Sequence, residues 1–100
     1  MPTLHVAFQE GFVNDEVVAR VNGAEVFRKS GITTKLQIGY ADSFEMEVPS
    51  GKTRLEVNVI TKNSTASAVL QVSDRTYVGV SLDKSGQPTY QVSAQPFGYL

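Results

Sequence analysis

His5 is the one histidine in a chain of 100 residues that contains no cysteine. An imidazole works as a general base only with a nucleophile or an orienting carboxylate within hydrogen-bond reach. Its neighbours Leu4 and Val6 offer neither, so a surface or edge histidine is expected. One imidazole and no thiolate also fall short of the ligand set of structural zinc.

Carboxylates are the next candidates, because acids alone suffice for glycoside hydrolysis or for binding calcium. Glu45 and Glu56 form one possible pair, expected to face each other on the outside of a hairpin. The simpler expectation is a basic side chain such as Lys35 between them, since like charges directly opposite destabilise a sheet. Glu10, Asn14, Asp15 and Glu16 cluster in one loop and suit either a calcium ion or Asx-type turns. The residue spacing of a calcium loop is missing.

Other chemistries lack their parts. The glycines fall singly at turns and in strands, as at Gly39 and Gly79, with no strand, glycine loop and helix to cradle a phosphate. Tyr77 and Tyr90 have few basic neighbours, unlike the stacking platforms of single-stranded nucleic acid sites. Tryptophan, the usual sugar-stacking residue, is absent. No catalytic residue, cofactor or metal is expected, and the chain reads as a non-enzymatic protein.

The elements that position these residues follow from composition and patterning. Apolar residues make up 41% of the chain and charged ones only 19%, which places it among globular rather than disordered sequences. A net charge of −1, with scattered Lys and Arg, argues against nucleic acid. No apolar run is long enough to span a bilayer, and Met1–Val6 lack the start of a signal peptide. A cytoplasmic protein without membrane insertion is therefore expected, folded as a single domain over 1–100.

Short period-two runs separated by Gly, Asn, Asp, Ser and Pro predict an all-β antiparallel sandwich, immunoglobulin-like or prealbumin-like, hairpin-rich, with about seven to nine strands. Strands are expected at 3–9, 16–22, 24–29, 34–40, 43–48, 53–61, 65–73, 76–82 and 88–94. Asn22-Gly23 is a strong type I′ turn signal. Folding about it sets Arg20 against Glu25, Ala19 against Val26, Val18 against Phe27 and Glu16 against Lys29. A second hairpin about Asn63-Ser64 sets Val59 against Ala68, Val57 against Leu70 and Leu55 against Val72. The turn Pro49–Lys52 then brings Met46 to Leu55 and Phe44 to Val57. The chain from 43 onward is expected to form a meander, faced by a sheet from the first forty residues.

Two features suggest contact with another protein. Val18 and Phe27 form an apolar island ringed by the two charged pairs, the pattern of an interface core with a polar rim. The C-terminal tail, 94–100, carries Phe97, Tyr99 and Leu100, which must dock on the domain's own sheet or on a partner.

The stretch Val17-Val18-Ala19-Arg20-Val21-Asn22-Gly23-Ala24-Glu25-Val26, with Phe44–Lys52, resembles small prealbumin-like or PEGA-like bacterial sandwich domains. It lacks the proline-threonine pair and the closing aromatic-glycine turn of PEGA repeats. The resemblance implies an accessory or interaction module and carries over no functional residue. The expected function is a protein-binding or self-associating assembly module. The alternative is a carbohydrate- or calcium-linked binding domain using the 10–16 loop.

Overall fold

A computed structural model describes residues 2–98. Its strands are β1 (Thr3–Phe8), β2 (Asp15–Val21), β3 (Ala24–Ile32), β4 (Asp42–Glu47), β5 (Gly51–Val59), β6 (Ser64–Val72), β7 (Arg75–Leu82) and β8 (Pro88–Ser93). They form two four-stranded sheets, ordered β4-β1-β7-β8 and β3-β2-β5-β6. Every neighbouring pair is antiparallel except β1 and β7, which run parallel. The protein is thus all-β and sandwich-like. Its one helical element among the described residues is the 3-10 turn Ile60–Lys62.

Alternation decides which faces meet. Successive side chains in a strand point to opposite sides, so Leu4, Val6 and Phe8 line one face of β1. Val17 and Ala19 of β2, Leu55, Val57 and Val59 of β5, and Val78 and Val80 of β7 do likewise, and all are fully buried in one cluster. Burying each larger side chain contributes about 1.5–3 kcal/mol before conformational entropy is subtracted. Two residues outside the strands, Phe12 and Val48, join the same cluster.

Registers differ from those expected in instructive ways. About Asn22-Gly23, Val21 meets Ala24 and Arg20 meets Glu25 as expected, but a bulge follows between Ala19 and Arg20. Ala19 then faces Phe27, and Val18 faces Arg28. The extra residue transfers Phe27 to the core side and dissolves the Val18–Phe27 island. The expected Glu16–Lys29 and Ala19–Val26 pairs are lost for the same reason.

In the β5–β6 hairpin the chain turns earlier, through Ile60–Lys62 and Asn63, whose φ is 50°. Val57 therefore meets Ala66, Leu55 meets Ala68 and Thr53 meets Leu70. The slip from the expected register is an even number of residues, so every side chain keeps its face.

The meander from residue 43 onward is not formed. The turn at Pro49–Lys52 carries the chain from one sheet to the other, and β4 pairs with β1, setting Met46 against Leu4 and Phe44 against Val6. Met46 and Phe44 still pack on the core, now through β1.

The strand expected at 34–40 is instead a tight turn. The N–H groups of Ile38 and Gly39 both donate to the Lys35 carbonyl, and Lys35 bridges to Tyr40. The chain here crosses between sheets beyond the end of β3, where no neighbouring strand is available to it. Leu36 is consequently 91% exposed. Thr34 anchors the crossing: its Oγ1 accepts from Phe12 N–H at 3.0 Å and donates to the Gln9 carbonyl at 2.6 Å.

Candidate functional site

The parallel β1–β7 pair positions a polar concavity. In its register Thr3 lies beside Arg75 and His5 beside Tyr77, while β4 sets Glu45 against His5. These positions alternate with the buried Leu4, Val6 and Val78, so the same period that builds the core turns them outward. Together the five side chains line a hollow of about 220 Å³. A second hollow of about 270 Å³ shares His5, Glu45 and Tyr77 and is walled by Pro96 and Phe97.

His5 Nδ1 sits 3.3 Å from Glu45 Oε2, and its ring lies 5.4 Å from that of Tyr77. Farther along β7, a Cβ on Gly79 would lie 2.5 Å from Gln9 Oε1, so the bare glycine makes room for the Gln9 side chain. The site thus offers a cation, a carboxylate bound to an imidazole, two hydroxyls and an aromatic wall.

The loop from Glu10 to Glu16 has a structural occupation. Asp15 is 1% exposed, and its carboxylate accepts from Val13 N–H, Thr61 Oγ1 and Lys62 Nζ. Burial works to raise its pKa, but the hydrogen bonds from Lys62, Thr61 and Val13 outweigh it and hold the carboxyl below its ordinary value. Glu16 is drawn away to Arg28. Among the described residues, no three metal-ligating side chains converge.

The expected Glu45–Glu56 pair is not formed, because the two residues stand in different sheets. Glu45 faces His5, and Glu56 lies across from Arg20 at 3.9 Å. Lys35 has no part in either contact.

The candidate interface residues separate. Val18 is fully buried although it points away from the core cluster. Its cross-strand neighbour Arg28 is held by Glu16 and Glu25. Phe27 is half-buried, stacked on Phe44 with ring centroids 5.2 Å apart and close to Phe8. Phe97 is half-buried against the hollow beside His5 and Tyr77. Tyr99 and Leu100 lie outside the described residues.

No protein-family model, curated protein or solved structure matches this chain. No helix among the described residues is long and apolar enough to cross a membrane.

A second feature concerns the sheet edges. β3 carries Glu25, Arg28 and Lys29, and β4 carries Asp42, Glu45 and Glu47, with Lys29 Nζ 2.6 Å from Asp42 Oδ2 across the two sheets. The opposite edges, β6 and β8, contain no charged residue. They expose Val69 (67%) and Val92 (54%). The composition of each edge was readable in the sequence. That β6 and β8 lie on one side was not, since it depends on how the hairpins divide between sheets.

Proposed function

We propose that this protein is a non-enzymatic protein-binding module that assembles with copies of itself through the β6 and β8 edges. The observation that carries the reading is the charge asymmetry of the edges. Charged side chains on an edge strand discourage further pairing, and β3 and β4 have them while β6 and β8 do not. An uncharged edge is also compatible with its own copy, because no like charges meet across a two-fold axis.

The strand order supports the prealbumin-like form over the immunoglobulin-like one. An immunoglobulin constant domain groups its first, second, fourth and fifth strands in one sheet. Here β1 and β2 are in different sheets, and β1 lies between β4 and β7. The calcium- or carbohydrate-linked alternative has less support, since Asp15 is engaged by Lys62 and Thr61.

Light scattering on a sizing column tests the assembly reading. The intact chain is expected to run as an oligomer, and the doubly substituted Val69→Lys, Val92→Lys chain as a folded monomer. A monomeric intact chain, or an oligomer that survives both lysines, overturns it. A chain ending at Ala94 separates the edges from the tail: loss of the oligomer there alone assigns assembly to the tail.

A further inference from the structure

The four sheet edges differ in more than charge. Edge strands resist unwanted pairing through charge, proline, bulges or short length. β3 is charged and its pairing with β2 is interrupted twice, while β4 is charged and six residues long. β8 is also six residues long and opens with Pro88, which has no N–H to donate. β6 has none of these devices. It runs for nine residues without charge, proline or glycine, and its register with β5 is unbroken from Ser64 to Val72.

The start of this edge is already covered. Gln87 Nε2 donates to the Thr65 carbonyl at 2.7 Å, and Ser64 Oγ donates to the Gly86 carbonyl. Open strand therefore extends over 66–72, with Val69 at its middle. Leu70 and Val72 are buried, so by alternation Ser67, Val69 and Gln71 lie on the outer face. Directly opposite residues in paired strands share a face. For two identical antiparallel strands, that rule puts the two-fold axis at a residue and never between two. An axis at Val69 uses the whole open stretch. It sets Val69 against its own copy and Ser67 against Gln71, and on the inner face Ala66 against Val72 and Ala68 against Leu70. The exposed valine is then covered by its equivalent, the polar pair can hydrogen-bond, and each inner pair matches a small side chain with a larger one. β6 is in this way complementary to itself.

We infer that two copies of this chain pair through β6, antiparallel about Val69, joining their β3-β2-β5-β6 sheets into one continuous sheet. The inference rests on the self-assembly reading above and narrows it: β6 forms the ladder between copies, and β8 does not.

The chain contains no cysteine, so a single introduced one reports on its own surroundings. Opposite Cα atoms in an antiparallel pair are about 4.5–5.5 Å apart, within disulfide range. Under mild oxidation Val69→Cys is expected to give at least about tenfold more disulfide-linked dimer than Val92→Cys. Amide hydrogen exchange tests the unaltered chain. Alternate amides within 66–72 should gain protection as concentration rises and copies associate, and those of β8 should not. A chain that stays monomeric on a sizing column overturns self-assembly and this pairing together. An oligomer in which Val69→Cys shows no such preference, or in which β8 gains the protection instead of β6, overturns the β6 pairing and leaves self-assembly standing. The exchange measurement decides even if a cysteine variant fails to fold.

Discussion

Lys62 Nζ lies 2.6 Å from one carboxylate oxygen of Asp15 and 2.7 Å from the other, tying the chain just after β5 to the start of β2. The two ends of this pair differ in solvent access: the Asp15 side chain is 1% exposed and that of Lys62 31%. Removing the cation therefore strands a buried carboxylate, whereas removing the acid leaves a lysine able to reach water. Lys62→Met is predicted to lower stability by about 3 kcal/mol in urea denaturation, and Asp15→Asn by less. A Lys62→Met variant within about 0.5 kcal/mol of the parent would show that the pair is dispensable.

The acid limb of stability follows from the same groups. Asp15 and Asp42 have folded pKa values below their ordinary 3.8. In each, burial pushes upward but is outweighed by the hydrogen bonds and charges around it, from Lys62, Thr61 and Val13 N–H for the first and from Lys29, Ser43 N–H and Lys35 for the second. A depressed carboxylate pKa contributes stability above its unfolded value and loses that contribution as pH falls through the folded one. The melting temperature is thus expected to be level from pH 7 to about 5 and to drop below about 4. Lys29→Met should make that drop shallower. An unchanged acid limb in this variant would remove the Lys29–Asp42 link between the sheets from the explanation.

Tyr90 governs the alkaline side. Its hydroxyl donates to the Ala66 carbonyl at 2.5 Å, joining β8 to β6 across the two sheets. Burial pushes its pKa from 10.0 up to about 12. A phenol with a raised folded pKa keeps its stabilising contribution below the unfolded value and loses it as pH rises through the folded one. Spectrophotometric titration should find one tyrosine ionising late, with stability falling over the same interval. Tyr90→Phe should cost about 1 kcal/mol at neutral pH and remove that tyrosine's share of the alkaline loss.

Thr34 is the clearest single-residue test of the crossing loop. Its buried hydroxyl serves Phe12 N–H and the Gln9 carbonyl at once. Thr34→Val keeps the shape and removes both hydrogen bonds, for a predicted loss of about 2 kcal/mol by chemical denaturation. A neutral result would mean that water reaches both.

Three glycines should respond in a fixed order when changed to alanine. At Gly11 a Cβ would lie 2.7 Å from the Leu82 carbonyl oxygen, and φ is +93°. Backbone cannot move aside cheaply, so this variant should be the worst, losing more than about 2 kcal/mol. Gly23 has φ of +87° with open space around it, so strain alone applies, about 1 kcal/mol. At Gly79 the obstacle is the flexible end of Gln9, which can swing away, and the loss should be smallest. Melting temperatures of the three variants check the ranking.

The amino-acid sequence by itself determined the strand faces. Alternation is a local property of extended backbone, and the even slip in the β5–β6 hairpin left Leu55, Val57 and Val59 buried although none met its expected partner. The Asn22-Gly23 turn was legible for the same reason, since the need for positive φ at both positions is local. Only the tertiary structure decided which strands share a sheet. It set β4 beside β1 rather than β5, and β7 parallel to β1 across seventy residues of chain, where burial of common faces governs and local signals do not. It also placed a bulge between Ala19 and Arg20 in the pairing of β2 with β3, for which no residue type is diagnostic, and that one residue turned Phe27 inward. The hollow was hidden on both counts: Thr3, His5, Glu45, Arg75 and Tyr77 become neighbours only once the parallel pair forms and β4 closes on its flank.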